Sequence, residues 1–314
     1  MEIKATAVAG TGMMGPGIAA VFAAAGKKAI MVSRRLDSAK AGVEKAREVI
    51  RWMAENALMD SAEADDAAGL LRASDSPENA VAEVDLFVES IAEDMSVKQD
   101  YFARLDGASD SAILCTNTSG MSVTQIASKC RFPSRVLTTH FWNPPHLVPL
   151  VEVVVGDKTD IAIAENVADF INGCGKTAVL VRKDRPGQLG NRIQQAMVRE
   201  CMNIVQEGIA TAEDVDLAVK AGFGLRTPVY GVFEHADLVG LDLVKAVQDY
   251  VVPDLSTAQS SAGIHEEKVK NGDLGAKSGS GMLQWPEGKD AEVKAYRDAF
   301  LLDFLKRYGK GQGS

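Results

Sequence analysis

The chain has little of what marks secreted, metal-binding or membrane-spanning proteins. Its four cysteines are scattered and form no C-x-x-C pair. Such sparse cysteines argue against a disulfide framework or a zinc site and are typical of reduced thiols in a cytoplasm. The longest apolar run near the N-terminus, Ile18–Ala25, is too short to cross a bilayer, and no secretion signal is evident. We therefore expect a cytoplasmic protein with no metal and no membrane contact.

Positive charge is also scarce. The chain has 34 Lys and Arg against 43 Asp and Glu, a net charge of −9. This balance repels phosphate backbones and anionic lipids, so nucleic acids and membrane surfaces are not expected partners. The 46% apolar and 25% charged content is that of an ordinary globular protein. A chain of 314 residues exceeds what one core usually supports, so two domains are expected.

Short strand-like runs alternate with helix-like stretches over roughly the first 185 residues. This alternation predicts the α/β fold class, with a parallel, doubly wound sheet. The apolar or β-branched runs are Ile3–Ala9, Ala29–Ser33, Leu86–Ser90, Ile113–Thr116, Val136–His140, Leu150–Val155 and Ala178–Val181.

From Asn191 onward the pattern is helical only. The stretch "NRIQQAMVRECMNIVQEG" has apolar residues at helical spacing, and the preceding "KDRPGQLG" contains proline and glycine breakers. We therefore predict an N-terminal domain over residues 1–186 and an all-helical C-terminal domain over residues 187–314.

A glycine-rich loop, "AGTGMMGPG", joins the first predicted strand to the first helix. Gly10, Gly12 and Gly15 have the G-x-G-x-x-G spacing: the first permits a tight turn, the second lets a pyrophosphate approach, and the third lets the helix pack closely. The helix N-terminus then offers N–H groups to an anion. The loop predicts a Rossmann-type dinucleotide site, and Met13 and Met14 are counted among its residues.

The end of the second strand bears on which dinucleotide binds. An NAD site normally has Asp or Glu there, whereas this chain has Ser33, Arg34 and Arg35. Without the carboxylate, two guanidinium groups and a hydroxyl can bind a 2′-phosphate. This favours NADP(H) over NAD(H). The alternative is that both arginines are merely solvated, with Asp37 or no residue holding the ribose.

Six short motifs follow the glycine loop in order along the chain. They are "TNTSG" (116–120), "HFWNPPH" (140–146), "PLVEVV" (149–154), "GNR" (190–192), "DLVGLD" (237–242) and "GAKSGSG" (275–281). Together they resemble the L-3-hydroxyacyl-CoA dehydrogenase family along nearly the whole chain. The resemblance implies an NAD(P)-dependent oxidoreductase that interconverts a 3-hydroxy acid and its 3-oxo form by hydride transfer. It also implies a homodimer formed through the helical domain.

Hydride transfer at an alcohol carbon needs a group that exchanges the hydroxyl proton, and histidine titrates near neutral pH. A carboxylate on the other ring nitrogen fixes the tautomer. His140 and Glu152 lie on consecutive strand-like runs joined by a Pro-rich turn, so we expect them side by side. The resemblance makes them base and orienting acid, with Ser119 and Asn191 holding the substrate oxygen. The alternative is a histidine bonded to its loop and a surface glutamate.

The resemblance also implies a group of polar residues beside the cofactor. Glu93 and Lys98, in "AEDMSVK", match family positions there, and Asn117 is counted with them. A solvated helix start explains Glu93 and Lys98 almost as well.

The sequence around the substrate departs from that of the acyl-CoA enzymes. "NPPHLVPLVEV" looks more like members that act on free hydroxy acids, such as L-gulonate 3-dehydrogenase, carnitine dehydrogenase and a pyridine-carboxylate dehydrogenase. Asn143 lies in the family's H-x-x-N-P sequence and is a candidate for contact with substrate. Trp142 and His146 are candidates for the wall of the pocket, and the alternative for either is ordinary packing. Arg226 lies among apparent extra residues and could clamp a carboxylate, or else pair with Glu234.

Residues 52–80 hold seven acids against one base, Arg72. The acyl-CoA enzymes carry basic residues here, near the CoA phosphates, and an acidic surface would repel the ADP 3′-phosphate. We therefore favour a hydroxy acid without CoA. The alternative for this segment is a solvated acidic helix unrelated to the pocket. The alternatives for the function are a true L-3-hydroxyacyl-CoA dehydrogenase and a non-enzymatic, crystallin-like cofactor-binding protein.

Overall fold

The structure, a computed structural model, describes residues 2–308. Within them the chain forms two compact units: the first comprises residues up to Asn191 together with the chain from Arg297, and the second is Arg192–Tyr296. The sequence predicts one helical domain over residues 187–314, whereas the chain from Arg297 clusters with the first unit.

The first unit is built on one eight-stranded sheet with the order β3-β2-β1-β4-β5-β6-β7-β8. The order of its first six strands is that of a dinucleotide-binding, doubly wound fold, which confirms the predicted Rossmann-type sheet. The strands are β1 Ala5–Ala9, β2 Lys28–Val32, β3 Leu71–Ser74, β4 Leu86–Glu89, β5 Ile113–Thr116, β6 Val136–Phe141, β7 Leu150–Val155 and β8 Thr177–Val181.

Two strands depart from the expected pattern. The edge strand β3 was not predicted, and β7 runs antiparallel to β6 although all other neighbours are parallel. The antiparallel register sets His140 of β6 directly opposite Glu152 of β7. The carboxyl end of β6 thus carries a cross-strand pair.

Helices cover both faces of the sheet, as the doubly wound pattern predicts. One core cluster includes Phe22, Val88 and Phe141; the other includes Phe87 and Phe102. The helices of this unit are α1 Gly15–Ala24, α2 Leu36–Glu55, α3 Ser61–Gly69, α4 Pro77–Ala82, α5 Met95–Ala108, α6 Val123–Ile126 and α7 Ile161–Gly173.

The second unit is helical, which confirms the all-helical prediction. Its helices are α8 Gly190–Gln206, which begins in the first unit, α9 Ala212–Ala221, α10 Val232–Val239, α11 Leu241–Val251 and α12 Gly263–Lys270; the last helix, α13 Lys289–Tyr308, ends in the first unit.

Apolar side chains of the second unit are left open to solvent. Across Arg192–Tyr296, all of it described, no hydrophobic side chain is buried, and Phe233 and Tyr250 are 84% and 87% exposed. The unit therefore holds apolar surface that it does not cover by itself. Among the helices that the structure describes, none is long and apolar enough to span a membrane.

Candidate active site

The glycine loop has the geometry that its spacing predicts. Gly10 has φ +111°, a conformation that side chains rarely adopt, and its N–H donates to the carbonyl of Val32 at 3.0 Å. A Cβ at Gly10 would overlap the Ser90 carbonyl, and one at Gly15 would overlap the Gly10 carbonyl. The chain itself therefore requires glycine at both positions.

Gly12 is different. A Cβ there would meet no heavy atom within 4 Å, so packing does not explain this glycine. The open space lies just before α1, whose N-terminus can bind an anion. The loop therefore fits a dinucleotide pyrophosphate, with Gly12 keeping the approach to the main chain clear.

The end of β2 presents two free positive charges. Arg34 and Arg35 are exposed, and neither forms an ion pair with any described residue. Ser33 precedes them and is anchored by its N–H to the carbonyl of Ser74 at 3.2 Å. Asp37, in the first turn of α2, is also exposed.

His140 and Glu152 form the buried pair that the sequence predicts. His140 Nδ1 lies 2.7 Å from Glu152 Oε2, and the two residues are 6% and 0% exposed. The other carboxylate oxygen, Oε1, accepts the N–H groups of Leu189 and Gly190 at 2.9 and 2.8 Å. The carboxylate thus holds the ring by Nδ1 and leaves Nε2 unbound by Glu152.

Two opposing effects act on the Glu152 carboxyl. Burial raises its pKa, but the hydrogen bonds from His140, Gly190 and Leu189 outweigh that effect and hold the pKa below its ordinary value. Glu152 is therefore an anion at neutral pH.

His140 lines a cleft of about 470 Å³ that begins at the glycine loop. The cleft brings together most of the predicted site residues, and all of its walls belong to the first unit. Its other lining residues are Met13, Met14, Ser90, Ile91, Glu93, Lys98, Asn117, Ser119, Phe141, Trp142, Asn143 and Asn191.

The predicted substrate-binding residues are joined by hydrogen bonds. Asn191 Nδ2 donates to the Ser119 carbonyl at 2.8 Å, and the Ser119 N–H donates to Glu93 Oε1 at 3.2 Å. Asn117 Oδ1 accepts the N–H of Phe141 at 2.8 Å, which ties the end of β5 to β6. These bonds fix the loop after β5 against the start of α8.

A charged network lies beneath this loop. Lys98 is 1% exposed, and its Nζ lies 2.6 Å from Glu89 Oε1 and 3.2 Å from Glu93 Oε2. Burial raises the pKa of Glu93, but the charge of Lys98 and the hydroxyl of Thr118 lower it by a larger amount, so the pKa lies below its ordinary value. Lys98 is therefore not a solvated helix residue.

Glu89, which was not predicted as a site residue, is completely buried and also accepts a hydrogen bond from the hydroxyl of Thr116 at 2.7 Å. Its position at the end of the otherwise apolar strand "LFVE" is the sequence signal that could have identified it as a functional residue. A charge in that position is costly unless it is paired.

His146 does not line the cleft. Its ring packs edge-on against Trp52 at 5.2 Å, and its buried Nδ1 has no hydrogen-bond partner among the described residues. Burial, with a smaller effect from Lys176, lowers the pKa of His146 to about 4. This histidine is a neutral packing residue.

Arg226 lies in the second unit, in the turn before α10. It does not pair with Glu234, whose Oε2 accepts the N–H of Gly231 at 2.6 Å and so caps α10. Arg226 forms no ion pair with any residue that the structure describes.

A Rossmann-type sheet with a glycine loop, and a buried histidine–glutamate pair whose histidine lines the adjoining cleft, defines a nicotinamide-dependent oxidoreductase. The chain matches the 3-hydroxyacyl-CoA dehydrogenase NAD-binding domain over residues 5–185 and the C-terminal domain of the same enzymes over residues 187–285. It therefore belongs to the 3-hydroxyacyl-CoA dehydrogenase family.

Relatives act on substrates both with and without CoA. The chain is 33% identical over 303 residues to 5-formyl-3-hydroxy-2-methylpyridine 4-carboxylate 5-dehydrogenase of Mesorhizobium japonicum, covering 96% of each chain. It is 34% identical over 289 residues to a probable 3-hydroxybutyryl-CoA dehydrogenase of Bacillus subtilis, covering 91% of this chain and 99% of that one.

A solved structure of the pyridine-carboxylate enzyme, described as an NAD+-dependent dismutase, superposes with a TM-score of 0.88 at 30% identity over 99% of each chain. FadB2 of Mycobacterium tuberculosis gives a TM-score of 0.74 at 31% identity over 91% of this chain and all of that one. By their names, the relatives thus include both a pyridine-carboxylate dehydrogenase and a probable 3-hydroxybutyryl-CoA dehydrogenase.

Proposed function

We propose that the chain moves a hydride between a nicotinamide cofactor and the alcohol carbon of a small hydroxy acid, with His140 exchanging the proton. The observation that carries this proposal is the 2.7 Å contact between Glu152 Oε2 and Nδ1 of His140, the histidine that lines the cleft beside the glycine loop. A bound nicotinamide dinucleotide supplies the hydride acceptor or donor.

In the oxidising direction His140 Nε2 takes the hydroxyl proton as the carbon loses its hydride, and in reduction it returns that proton to the oxygen. Glu152 holds the ring in this tautomer and stabilises the imidazolium that forms. Ser119 and Asn191, which line the same cleft, are proposed to hold the substrate oxygen.

His140→Gln tests the assignment with a panel of 3-oxo acids and both reduced cofactors. General acid–base catalysis contributes about 10²- to 10⁴-fold, so kcat should fall by that factor while cofactor Kd stays unchanged. His265→Gln, the same change at an exposed histidine, is the matched control. Turnover retained in His140→Gln would contradict the role of His140. Cofactor binding without turnover of any substrate would instead support the non-enzymatic alternative.

We infer a preference for NADP(H) over NAD(H). It rests on the exposed, unpaired Arg34 and Arg35 and on the absence of a carboxylate at the end of β2. The pyridine-carboxylate neighbour is described as NAD+-dependent, so Asp37 on the ribose is the competing arrangement.

Cofactor titrations of Arg34→Ala separate the two arrangements. Charge-assisted hydrogen bonds contribute about 1.5–3 kcal/mol, so NADPH affinity should fall about 10- to 100-fold with little change for NADH. Arg51→Ala, an exposed arginine near the other end of α2, is the control. Equal losses for both cofactors would refute the preference.

We infer a substrate without CoA. Glu55, Asp60, Asp65 and Asp66 are exposed, and none forms an ion pair with a described residue. The one base of this segment, Arg72, is already paired with Glu83 at 2.6 Å. A nearby 3′-phosphate would meet uncompensated negative charge. The pyridine-carboxylate relative, which matches nearly the whole chain, supports the same class.

The similarity to the Bacillus subtilis enzyme favours a CoA thioester as the second candidate. Comparing kcat/KM for free acetoacetate, acetoacetyl-CoA and its 3′-dephospho form distinguishes the two. A marked advantage of acetoacetyl-CoA over both other compounds would overturn the proposal.

Arg226 remains a proposed carboxylate ligand on sequence grounds. Arg226→Ala should raise KM for an acid substrate and spare its methyl ester, because only the acid can bind the guanidinium bidentately. An unchanged KM for the acid would remove Arg226 from the site.

We infer a homodimer formed through the helical domain. The exposed Phe233 and Tyr250 are part of apolar surface in the second unit, and burying such surface stabilises association. Sedimentation should give a dimer at micromolar concentration, and Phe233→Asp should weaken it. A wild-type monomer would contradict the inference.

A cytoplasmic location is inferred from the four free thiols and is checked by localising a tagged copy.

A further inference from the structure

Trp142 has contacts that a simple cleft wall does not need. Its indole N–H donates to Glu152 Oε2 at 3.1 Å, and its ring lies 5.4 Å from that of His140 at an angle of 50°. On another side the ring packs against Gly190, where a Cβ would come within 2.5 Å of Cζ2. The indole is thus fixed by a strand, a side-chain pair and the start of a helix.

The N–H of Trp142 completes the coordination of the Glu152 carboxylate. An ionised carboxylate has about four lone-pair positions. Oε1 takes the two backbone N–H groups of Leu189 and Gly190, and Oε2 takes His140 Nδ1 and the indole N–H. Every position is therefore used, and Trp142 shares its oxygen with the catalytic ring.

We infer that Trp142 is a positioning residue for proton exchange: its N–H shares Glu152 Oε2 with His140 and so weakens the hold of that oxygen on the imidazolium. This inference rests on the proposed role of His140. An oxygen that already accepts one N–H is a weaker acceptor for the next positive donor. Without the indole N–H, Glu152 stabilises the protonated ring more strongly, and the base loses its competent form at a higher pH.

Other charges around the ring do not depend on Trp142. Glu93 and Lys98 line the same cleft and pair with each other at 3.2 Å, and Lys98 also pairs with buried Glu89. Neither pair involves the indole, so a change in pH dependence can be assigned to the lost N–H.

The test is the pH profile of kcat/KM. Replacing Trp142 with benzothienylalanine keeps the bicyclic shape and exchanges the N–H for sulfur. Trp142→Phe, a natural substitution, removes the same donor. In both, the acidic limb should move up by about half to one pH unit, because one neutral donor to a charged oxygen is lost. Trp52→Phe, a tryptophan outside the cleft, is the control and should leave the limb in place.

An unmoved limb in a benzothienylalanine protein of normal stability would overturn the inference, since a purely structural indole predicts that result. A limb that moves down would overturn it as well. Failure of the proposed function is separately visible, because His140→Gln would then stay active whatever the Trp142 variants do.

A second readout needs no substrate. In a Trp52→Phe/Trp285→Phe protein only Trp142 emits, and an imidazolium at ring-contact distance quenches indole fluorescence. Emission should fall on acidification at pH values above 4.5, where Glu152 is still ionised, and adding His140→Gln should abolish that fall. Emission that does not respond to His140→Gln would contradict the contact on which the inference depends.

Discussion

Glu152→Gln is the most informative single change at the site. The substitution keeps the shape of the side chain but turns one carboxylate oxygen into an NH₂ group. Four N–H donors face the carboxylate, two at each oxygen. Whichever way the amide points, two donors therefore face another donor.

The expected cost follows from those two lost bonds. Hydrogen bonds to a charged acceptor contribute about 1.5–3 kcal/mol each, so the free energy of unfolding should fall by about 3–6 kcal/mol before any relaxation. This is a large part of the roughly 5–15 kcal/mol that stabilises a typical protein. If the NH₂ faces His140, the ring regains one of the two bonds only by accepting at Nδ1 and carrying its proton on Nε2, which reduces the loss to about 1.5–3 kcal/mol for the indole N–H. A proton on Nε2 is the wrong tautomer for a base, and such changes cost about 10⁴-fold in kcat.

Urea unfolding at several pH values measures the stability term. The pKa of Glu152 is lowered from its ordinary value of 4.5, so its contribution is complete above pH 4.5 and is lost as the pH falls through the folded-state value. The difference in the free energy of unfolding between wild type and Glu152→Gln should therefore become smaller at acidic pH. Glu165→Gln, at an exposed glutamate of α7, is the control. A loss below about 1 kcal/mol at pH 7 would refute the four-donor account, because one net hydrogen bond contributes that much.

Further substitutions test three other places in the first unit: the glycine loop, the Lys98–Glu89 pair and His146. Gly15→Ala should lower the thermal unfolding temperature because its Cβ overlaps the loop carbonyl, whereas Gly12→Ala should unfold normally and lose only cofactor affinity by titration calorimetry. Lys98→Met should lower the free energy of unfolding by about 3–5 kcal/mol, because it leaves buried Glu89 unpaired, and adding Glu89→Gln should restore part of it in urea titrations. The free energy of unfolding of the wild type should fall as the pH is lowered from 6.5 to about 4, because His146 binds a proton in the unfolded chain over this range but stays neutral in the folded one. In His146→Phe the free energy of unfolding should fall by less over the same range.

The glycine loop and the sheet could be predicted because their signals are local. Glycine spacing depends on backbone clashes within a few residues, and the strand runs are short and apolar. The antiparallel β7 could also have been predicted. Only eight residues, Trp142–Pro149, separate it from β6, whereas a parallel crossover needs about a dozen or more. That turn length is what sets His140 opposite Glu152.

The sequence signal for the edge strand β3 is weaker than the signals for the other strands. It has four residues, "LRAS", and only Leu71 is buried. Buried and exposed residues alternate only weakly along this run, and acidic residues flank it. Its strand conformation comes from pairing with β2. Tertiary contact decides such a segment, because intrinsic strand preference depends strongly on context.

The charged network and the role of His146 depend on contacts that the sequence does not reveal. Glu89 meets Thr116 only because β4 and β5 are neighbours in the sheet. His146 follows a motif that matches the family, yet its side chain packs on Trp52 of α2. A motif fixes residue types at a spacing, whereas the direction of each side chain is set by the elements it meets.

The same contacts build the fold and the site, which limits what activity measurements alone can establish. Glu152 receives donors from β6, from the turn after it and from residues 37 and 38 positions further along the chain. The carboxylate is therefore fully bonded only when β6, β7 and the start of α8 are all in place. A substitution that frees any one donor changes both the orientation of His140 and the stability of the first unit. Lost turnover at this site can be assigned to chemistry only where unfolding, measured on the same protein, shows that the unit is still folded at the assay temperature.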